Sequence, residues 1–575
     1  MTLSNPIFDY EYLYALIVII ILLIRILKDK ISLKYSIHRL QVKGLDLILC
    51  IGYIILGVNI IRNSTPLSIA SIYPLIVYPL IYILIKFSAS QTKTVKTITL
   101  IITFISVTEL IIGSLQVTSA VASVNSLFKV TGSFGSPAVY INYLICIIPF
   151  SFYTIYNGKD YSPLAKGGFF LLTVWILIIL LFFTSSRLAW MTLFFQIFLI
   201  LLLKKKLDIK VSKNNIYKFL GIFSLTAVLF FSMLVIKPQS TSGRWFVLKN
   251  SLVILKQNYA NGIGISRFDV VYNDFQENYF KSNNDKQGEY LASYISVAYN
   301  DYLQLFIETG IFGFFMICML IFKLLKIGLN IRNKYRHIDH EVQPAIICCF
   351  TILFLALFSF PFRLSPVLTI FIIALSICSN YDNKTYFSLR TKGFVSFSLL
   401  SIIVLTLLVR LFVSYDKQIK WRNVENYKTV KNVNNIQIIK IYDELKPELQ
   451  TNIDFIESYA RTCYSLKNYK KAIASLEIAN KYSSKYDVYL LLGMCYEEIN
   501  EIELAEKAYL KCSFLVPNLF IARYRLMMLY HNRKNHSEAI KWANVIINMP
   551  IKVNSPAIEK IKKIAMSMVK LNSSL

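Results

Sequence analysis

Apolar runs as long as a bilayer is thick recur along the first 414 residues of this chain. Crossing the hydrocarbon core takes about 20 apolar residues. By that measure twelve spans are expected, at 11–28, 45–62, 67–86, 97–114, 138–156, 168–185, 187–203, 218–236, 301–322, 343–360, 364–379 and 394–414. Lipid offers no partner to a bare N–H or C=O, so runs of this length fold as helices that satisfy their own backbone. The composition agrees. The chain is 55% hydrophobic with a mean hydropathy of +0.52, too apolar for a soluble protein of 575 residues. The first apolar run has no basic segment before it and no cleavage site, so it reads as a retained helix.

A net charge of +29 can accompany nucleic-acid binding, but its placement here argues against that. The loops 28–44, 86–97, 157–166, 204–218, 323–342 and 380–392 hold 24 Lys and Arg. The short segments on the other side hold four. Basic residues concentrate on the cytoplasmic side of short loops. The pattern therefore sets topology, and no nucleic acid is expected as a partner. Both termini and the interval 237–300 are expected outside the cytoplasm, in a multi-pass membrane protein.

The interval 237–300 is the longest polar stretch between spans and the expected place for aqueous chemistry. It begins near SGRWFVLKNSLVIL, passes through NGIGISRF, and ends against YNDYLQLFIETGIFG. Arg187 closes the apolar run before LAWMTLFF, and Arg244 sits where the long loop opens. Each also suits a plain interfacial anchor. Together they would make a clamp for a lipid diphosphate, because a guanidinium stays charged and forks onto phosphate oxygens. Asp301, Glu308 and Glu289 are the local carboxylates that could accept a proton from a substrate hydroxyl, with Tyr299 as a hydrogen-bond partner. Asp301 equally suits the N-cap of the ninth span. Gly262 and Gly264 read as a tight turn rather than a phosphate loop, being too short a motif for the latter. The nine cysteines show no CxxC and no metal spacing, so neither disulfides nor zinc nor another cofactor is expected.

Beyond residue 414 the chain turns polar and helical in period. Tyr489, Leu492, Gly493, Tyr496, Ala505, Tyr509 and Pro517 fall at the spacing of a tetratricopeptide repeat. Ala460, Ala472, Leu476 and Ala479 lie 33 residues before their counterparts, and Tyr530 and Ala539 lie 34 after theirs. A linker over 415–440 and an extracytoplasmic α-solenoid domain over 441–575 are expected. Such a stack offers a concave face to a protein partner. Cys463, Cys495 and Cys512 sit at helix-packing positions and read as small core residues. The fold class is thus all-α: a membrane domain of about 12 helices over 1–414, followed by the repeats.

The motifs TSSRLAW, SGRWFVLKNSLVIL…NGIGISRF and YNDYLQLFIETGIFG, with TGSFGSPAVY at 131–140, resemble the O-antigen ligase and O-antigen polymerase superfamily. The likeness covers roughly 120–330 by motif. It implies glycan transfer from an undecaprenyl-diphosphate-linked donor to a lipid, glycan or protein acceptor at the outer face of a bacterial inner membrane, without a metal. It implies a diphosphate-binding role for Arg187 and Arg244, and a catalytic region at Tyr299, Asn300 and Asp301. The family's ligases carry a histidine, then Asn, Ser or Gln, then nine residues and GxxG. Asn300, Gly310 and Gly313 keep that spacing, but Tyr299 stands at the histidine position. The five histidines all lie elsewhere, so a histidine base is not carried over. All of the resembling motifs precede residue 330, which leaves the repeats as a binding surface. Two other classes fit a polytopic chain. A lipid-linked glycan transporter would show inverted repeats and charges at mid-bilayer. A non-catalytic scaffold would leave the arginines and the long loop without a purpose.

Overall fold

The computed structural model describes residues 38–63, 69–88, 92–157, 162–184, 186–203, 238–334, 342–391, 393–428 and 435–573. The expected spans 11–28 and 218–236 lie outside them. Five described helices are long and apolar enough to cross a membrane: Gly44–Arg62, Lys96–Val117, Pro137–Ile155, Pro163–Leu180 and Asp301–Ile331. Shorter apolar helices at Pro74–Lys86, Arg187–Leu202, Val342–Ala356 and Ser365–Asn380 accompany them. The architecture is all-α apart from one two-stranded antiparallel sheet among the described residues. His38–Lys43 pairs there with Thr385–Thr391, placing Val42 opposite Phe387. No strand was expected at either place.

Two helices break where the sequence predicts continuous spans, and in each case the freed backbone is re-satisfied. The span expected at 138–156 is split into Pro137–Ile145 and Ile148–Asn157. Pro149 lacks the N–H that would bond the carbonyl of Ile145. Gln196 Nε2 donates to that oxygen instead, at 2.9 Å. The helix Asp301–Lys334 breaks at Gly310, with φ 70° and ψ −164°. The carbonyls of Ile307 and Glu308 then accept Ile263 N–H at 2.9 Å and Gly264 N–H at 3.0 Å. Asn59, at the end of Gly44–Arg62, donates through Nδ2 to Asn261 O and Glu308 O, both at 3.2 Å.

Gly262 and Gly310 meet backbone to backbone. A Cβ on Gly262 would stand 2.4 Å from Glu308 O, and one on Gly310 would stand 2.6 Å from Ala260 O. Both residues also hold positive φ. The tight-turn reading of Gly262 therefore holds, and its reason is close approach. Gly262→Ala is expected to cost about 1–3 kcal/mol from the left-handed backbone alone, with the clash added. A thermal-unfolding scan of the detergent-solubilised variant checks this; an unchanged transition would show that the turn can shift.

At the end of the bundle away from Asn59, charges tie helices together. Asp46 accepts Tyr82 O–H at 2.5 Å and Ser379 O–H at 2.7 Å, and pairs with Lys86. Lys323 pairs with Asp382 at 2.7 Å. Removing one partner of such a buried pair typically costs about 3–5 kcal/mol, because the other charge stays buried.

The interval 237–300 folds as a small helical unit rather than an open loop. Helix Pro238–Asn258 buries Val247, Asn250, Ser251 and Ile254 along one face. Helix Phe268–Ser282 buries Phe268, Tyr272, Asn273, Gln276, Glu277 and Phe280. Val247, Ile254, Ile263, Phe268, Tyr272, Ile295, Leu303 and Ile307 form a core of their own.

The segment expected as a linker is not one in its first half. Helix Gly393–Lys428 runs unbroken past residue 414, and Val424 and Trp421 join the core of the repeats. Asn435–Leu449 is a further helix packed there. Three helical hairpins follow: Ile453–Ser465 with Tyr469–Ala479, Tyr486–Glu498 with Ile502–Leu515, and Phe520–Asn532 with His536–Asn548. Pro556–Ser573 closes the stack. A Cβ on Gly493 would stand 2.6 Å from the Tyr509 ring, so the small residue admits the aromatic of the facing helix. Cys463, Cys495 and Cys512 are buried, as expected of core residues.

Candidate active site

Helix Pro238–Asn258 brings the two arginines together. Thr241 and Arg244 lie three apart, on one face of that helix. Arg187, the first residue of Arg187–Leu203, donates through Nη1 to Thr241 Oγ1 at 3.3 Å. Arg244 donates through Nη1 to Phe358 O at 3.1 Å and lies over the Tyr299 ring, 5.0 Å from its centroid. Desolvation of the Arg244 guanidinium pulls its pKa below the usual range; the Tyr299 phenol opposes this and the Arg187 charge adds to it. Among the described residues, no carboxylate pairs with Arg244.

Tyr299 sits at φ 55°, a left-handed conformation that a bulky residue rarely adopts. Its ring meets Phe360 edge-on, with centroids 6.1 Å apart. Asn300 caps the helix that follows, its Oδ1 accepting Leu303 N–H at 2.9 Å. That corrects the reading of Asp301 as the cap. Asp301 is 5% exposed, and its Oδ2 reaches across to accept Phe362 N–H at 2.8 Å. Glu308 is also buried, and pairs with Arg363 at 2.7 Å. Glu289 lies apart from this group. It stands in the short helix Lys286–Leu291, where its charge acts on Arg523 of the repeats.

The turn from Phe358 to Arg363 is what sequence reasoning missed. Phe358 O receives Arg244, the Phe360 ring abuts Tyr299, Phe362 N–H holds Asp301, and Arg363 holds Glu308. Four residues of one turn touch four residues of the site. The available signal was Arg363 itself, an arginine beside Pro361 between two apolar runs, weighed only for topology. The motif TGSFGSPAVY packs on helix Thr92–Val117. Glu109 accepts Ser133 O–H at 2.6 Å, and Gln116 Oε1 accepts the N–H groups of Thr131 and Gly132 at 2.9 and 2.8 Å.

No curated protein matches the chain. Among solved structures, a crystal structure of MamA protein is 17% identical, covering 27% of this chain and 88% of that one, with a TM-score of 0.23. The crystal structure of the APC/C hetero-tetramer Cut9-Hcn1 is 12% identical, covering 90% and 99%, with a TM-score of 0.24. Likeness this slight adds nothing to the helical hairpins already described. Residues 172–318, from within helix Pro163–Phe182 across both arginines, Tyr299 and the Gly310 break, match the family model described as O-antigen ligase.

Proposed function

We propose that this protein transfers a glycan from an undecaprenyl-diphosphate-linked donor to an acceptor hydroxyl at the outer face of the bacterial inner membrane. Twelve spans, which rest on the apolar runs, and an outside location for the 237–300 unit and both termini, which rests on the basic-residue asymmetry, are part of this reading. Impermeant labelling of a cysteine placed at Asn283 in intact spheroplasts checks the orientation; labelling only after permeabilisation would overturn it.

The observation that carries the proposal is that Arg187 and Arg244 are joined through Thr241 on one helix face, with no carboxylate on Arg244 among the described residues. Two cations that repel one another bind a polyanion better than either alone, and a guanidinium forks onto phosphate oxygens. The acceptor oxygen attacks the anomeric carbon, that carbon's bond to the diphosphate oxygen breaks, the hydroxyl proton passes to solvent, and the arginines stabilise the charge as the diphosphate leaves. A single displacement inverts the anomeric centre, and no metal is assigned to it. Asn300 and Asp301 position this region: Asn300 caps the helix, and Asp301 holds the Phe358–Arg363 turn. Tyr299 carries Arg244 on its face.

The acceptor class, whether lipid, a growing glycan or a protein hydroxyl, separates ligase, polymerase and protein-glycosylating readings. A flippase is the reading from another class. Purified protein in liposomes with lipid-linked donor and acceptor decides: acceptor-dependent release of undecaprenyl diphosphate is expected. Translocation of intact donor without release would overturn transfer. In the same assay Tyr299→Phe and Asp301→Asn are expected to keep most turnover, and Tyr299→Ala and Asp301→Ala to lose it. Loss in Asp301→Asn equal to that in Asp301→Ala would make the carboxylate a proton acceptor instead.

A further inference from the structure

We propose that Asn518, in the repeat domain, is a positioning residue for the transfer site and acts through the segment 289–300. This rests on the transfer reading above. From Ala292 to Asn300 the backbone has no helix or strand. Its polar groups must still be satisfied, and side-chain amides do it. Asn518 Nδ2 lies 3.1 Å from Glu289 O, 3.1 Å from Tyr290 O and 2.6 Å from Ala292 O. An amide has two such hydrogens, so the three carbonyls share them. Gln276 Nε2 donates to Ser293 O at 3.1 Å and also to Leu515 O of the repeats at 2.6 Å. Asn273 takes both polar groups of Ile295, its Nδ2 donating to the carbonyl at 2.8 Å and its Oδ1 accepting the N–H at 3.2 Å. Gln304 Oε1 accepts Ala298 N–H at 3.0 Å. The next residue is Tyr299, whose left-handed backbone persists only when its surroundings over-determine it.

The repeat period puts Asn518 in this place. Ser484, Asn518 and Lys552 are 34 residues apart, each in a turn after a hairpin, and all three meet the loop unit. Ser484 O–H donates to Asp274 at 2.8 Å, and Lys552 lies over the Tyr290 ring at 5.6 Å. Lys511 pairs with Asp274 at 3.0 Å and with Glu277 at 3.4 Å. Ser483 O–H donates to Asp269 at 2.9 Å. The stack therefore grips the loop unit along the edge of its inter-repeat turns.

Asn518→Asp keeps the shape, loses the donor and sets a carboxylate against carbonyls. In full-length protein in nanodiscs, amide hydrogen exchange over 293–300 is expected to quicken roughly 10-fold or more, with helices 486–498 and 502–515 unchanged. In the release assay kcat is expected to fall roughly 10-fold or more. Combined with Tyr299→Ala, the second substitution should add little, because both act on one element. Unchanged exchange over 293–300, or effects that multiply, would overturn the proposal. Should Asn518→Asp unfold the repeats, Asn518→Ser removes the donor without adding charge and carries the same comparison. If the wild-type protein releases no undecaprenyl diphosphate, the transfer reading fails, and the exchange comparison still decides whether Asn518 sets the segment.

Discussion

Arg244→Lys is expected to lower donor turnover roughly 100-fold while leaving the protein inserted and folded, and Arg187→Lys to do the same. The estimate is that for removing one preorganised donor from a developing anion. Lysine keeps the charge but loses the planar fork that fixes a phosphate oxygen in place while the side chain is tied to the protein. Arg244 does both kinds of work. Its Nη1 is spent on Phe358 O and its face on Tyr299, which leaves the remaining N–H groups aimed by the fold. A lysine at 244 would lose the tie to the turn as well as the second contact to phosphate. Arg187 is fixed through Thr241, one helical turn from Arg244, so its loss removes the neighbour rather than the anchor. Initial rates of undecaprenyl diphosphate release across donor concentration check both variants. Full rates in both would remove the clamp from the mechanism.

What the sequence disclosed follows the range of each interaction. Span 45–62 matches helix Gly44–Arg62 because a membrane helix is specified by its own apolar run. Repeats are legible for the same reason: Gly493 and Tyr509 sit within one hairpin. The arginines were found through their motifs, but Thr241, which joins them, looks like any helix-start threonine. The break at Gly310 could be seen only as spacing, because its cause is Gly262, 48 positions earlier, approaching backbone to backbone. The pairing of His38–Lys43 with Thr385–Thr391 closes across most of the membrane domain and leaves no local mark. The Phe358–Arg363 turn is similar: its contacts with Arg244, Tyr299, Asp301 and Glu308 all come from distant parts of the chain. Three residues at a 34-residue interval, serine, asparagine and lysine, share a place in the repeat but no chemistry, so no pattern of residue types announced the docking edge.

Deleting the repeats from residue 435 onward is expected to abolish donor turnover. Sequence position alone favoured the opposite, since every motif of the transfer site lies before residue 330. The structure ties the two regions by contacts that a deletion would strip at once. The carbonyls of Glu289, Tyr290 and Ala292 would lose Asn518. Asp274 and Glu277 would lose Lys511, and Gln276 would lose Leu515 O. Phe514 would leave the cluster of Phe246, Phe280 and Ala292, exposing aromatic surface two positions from Arg244. A net hydrogen bond contributes only about 0.5–1.5 kcal/mol, but several lost from one irregular segment exceed what that segment can spare. Tyr299 would then be free to leave its left-handed conformation, and Arg244 would lose the ring beneath it. The truncated protein should still insert, since its bundle core shares none of these residues. Proteolysis is the direct readout: cleavage within 283–298 should appear in the truncated protein and not in the full chain. A truncated protein that resists cleavage there and retains release of undecaprenyl diphosphate would show that the loop unit holds its shape alone, and that the repeats serve only to bind a partner.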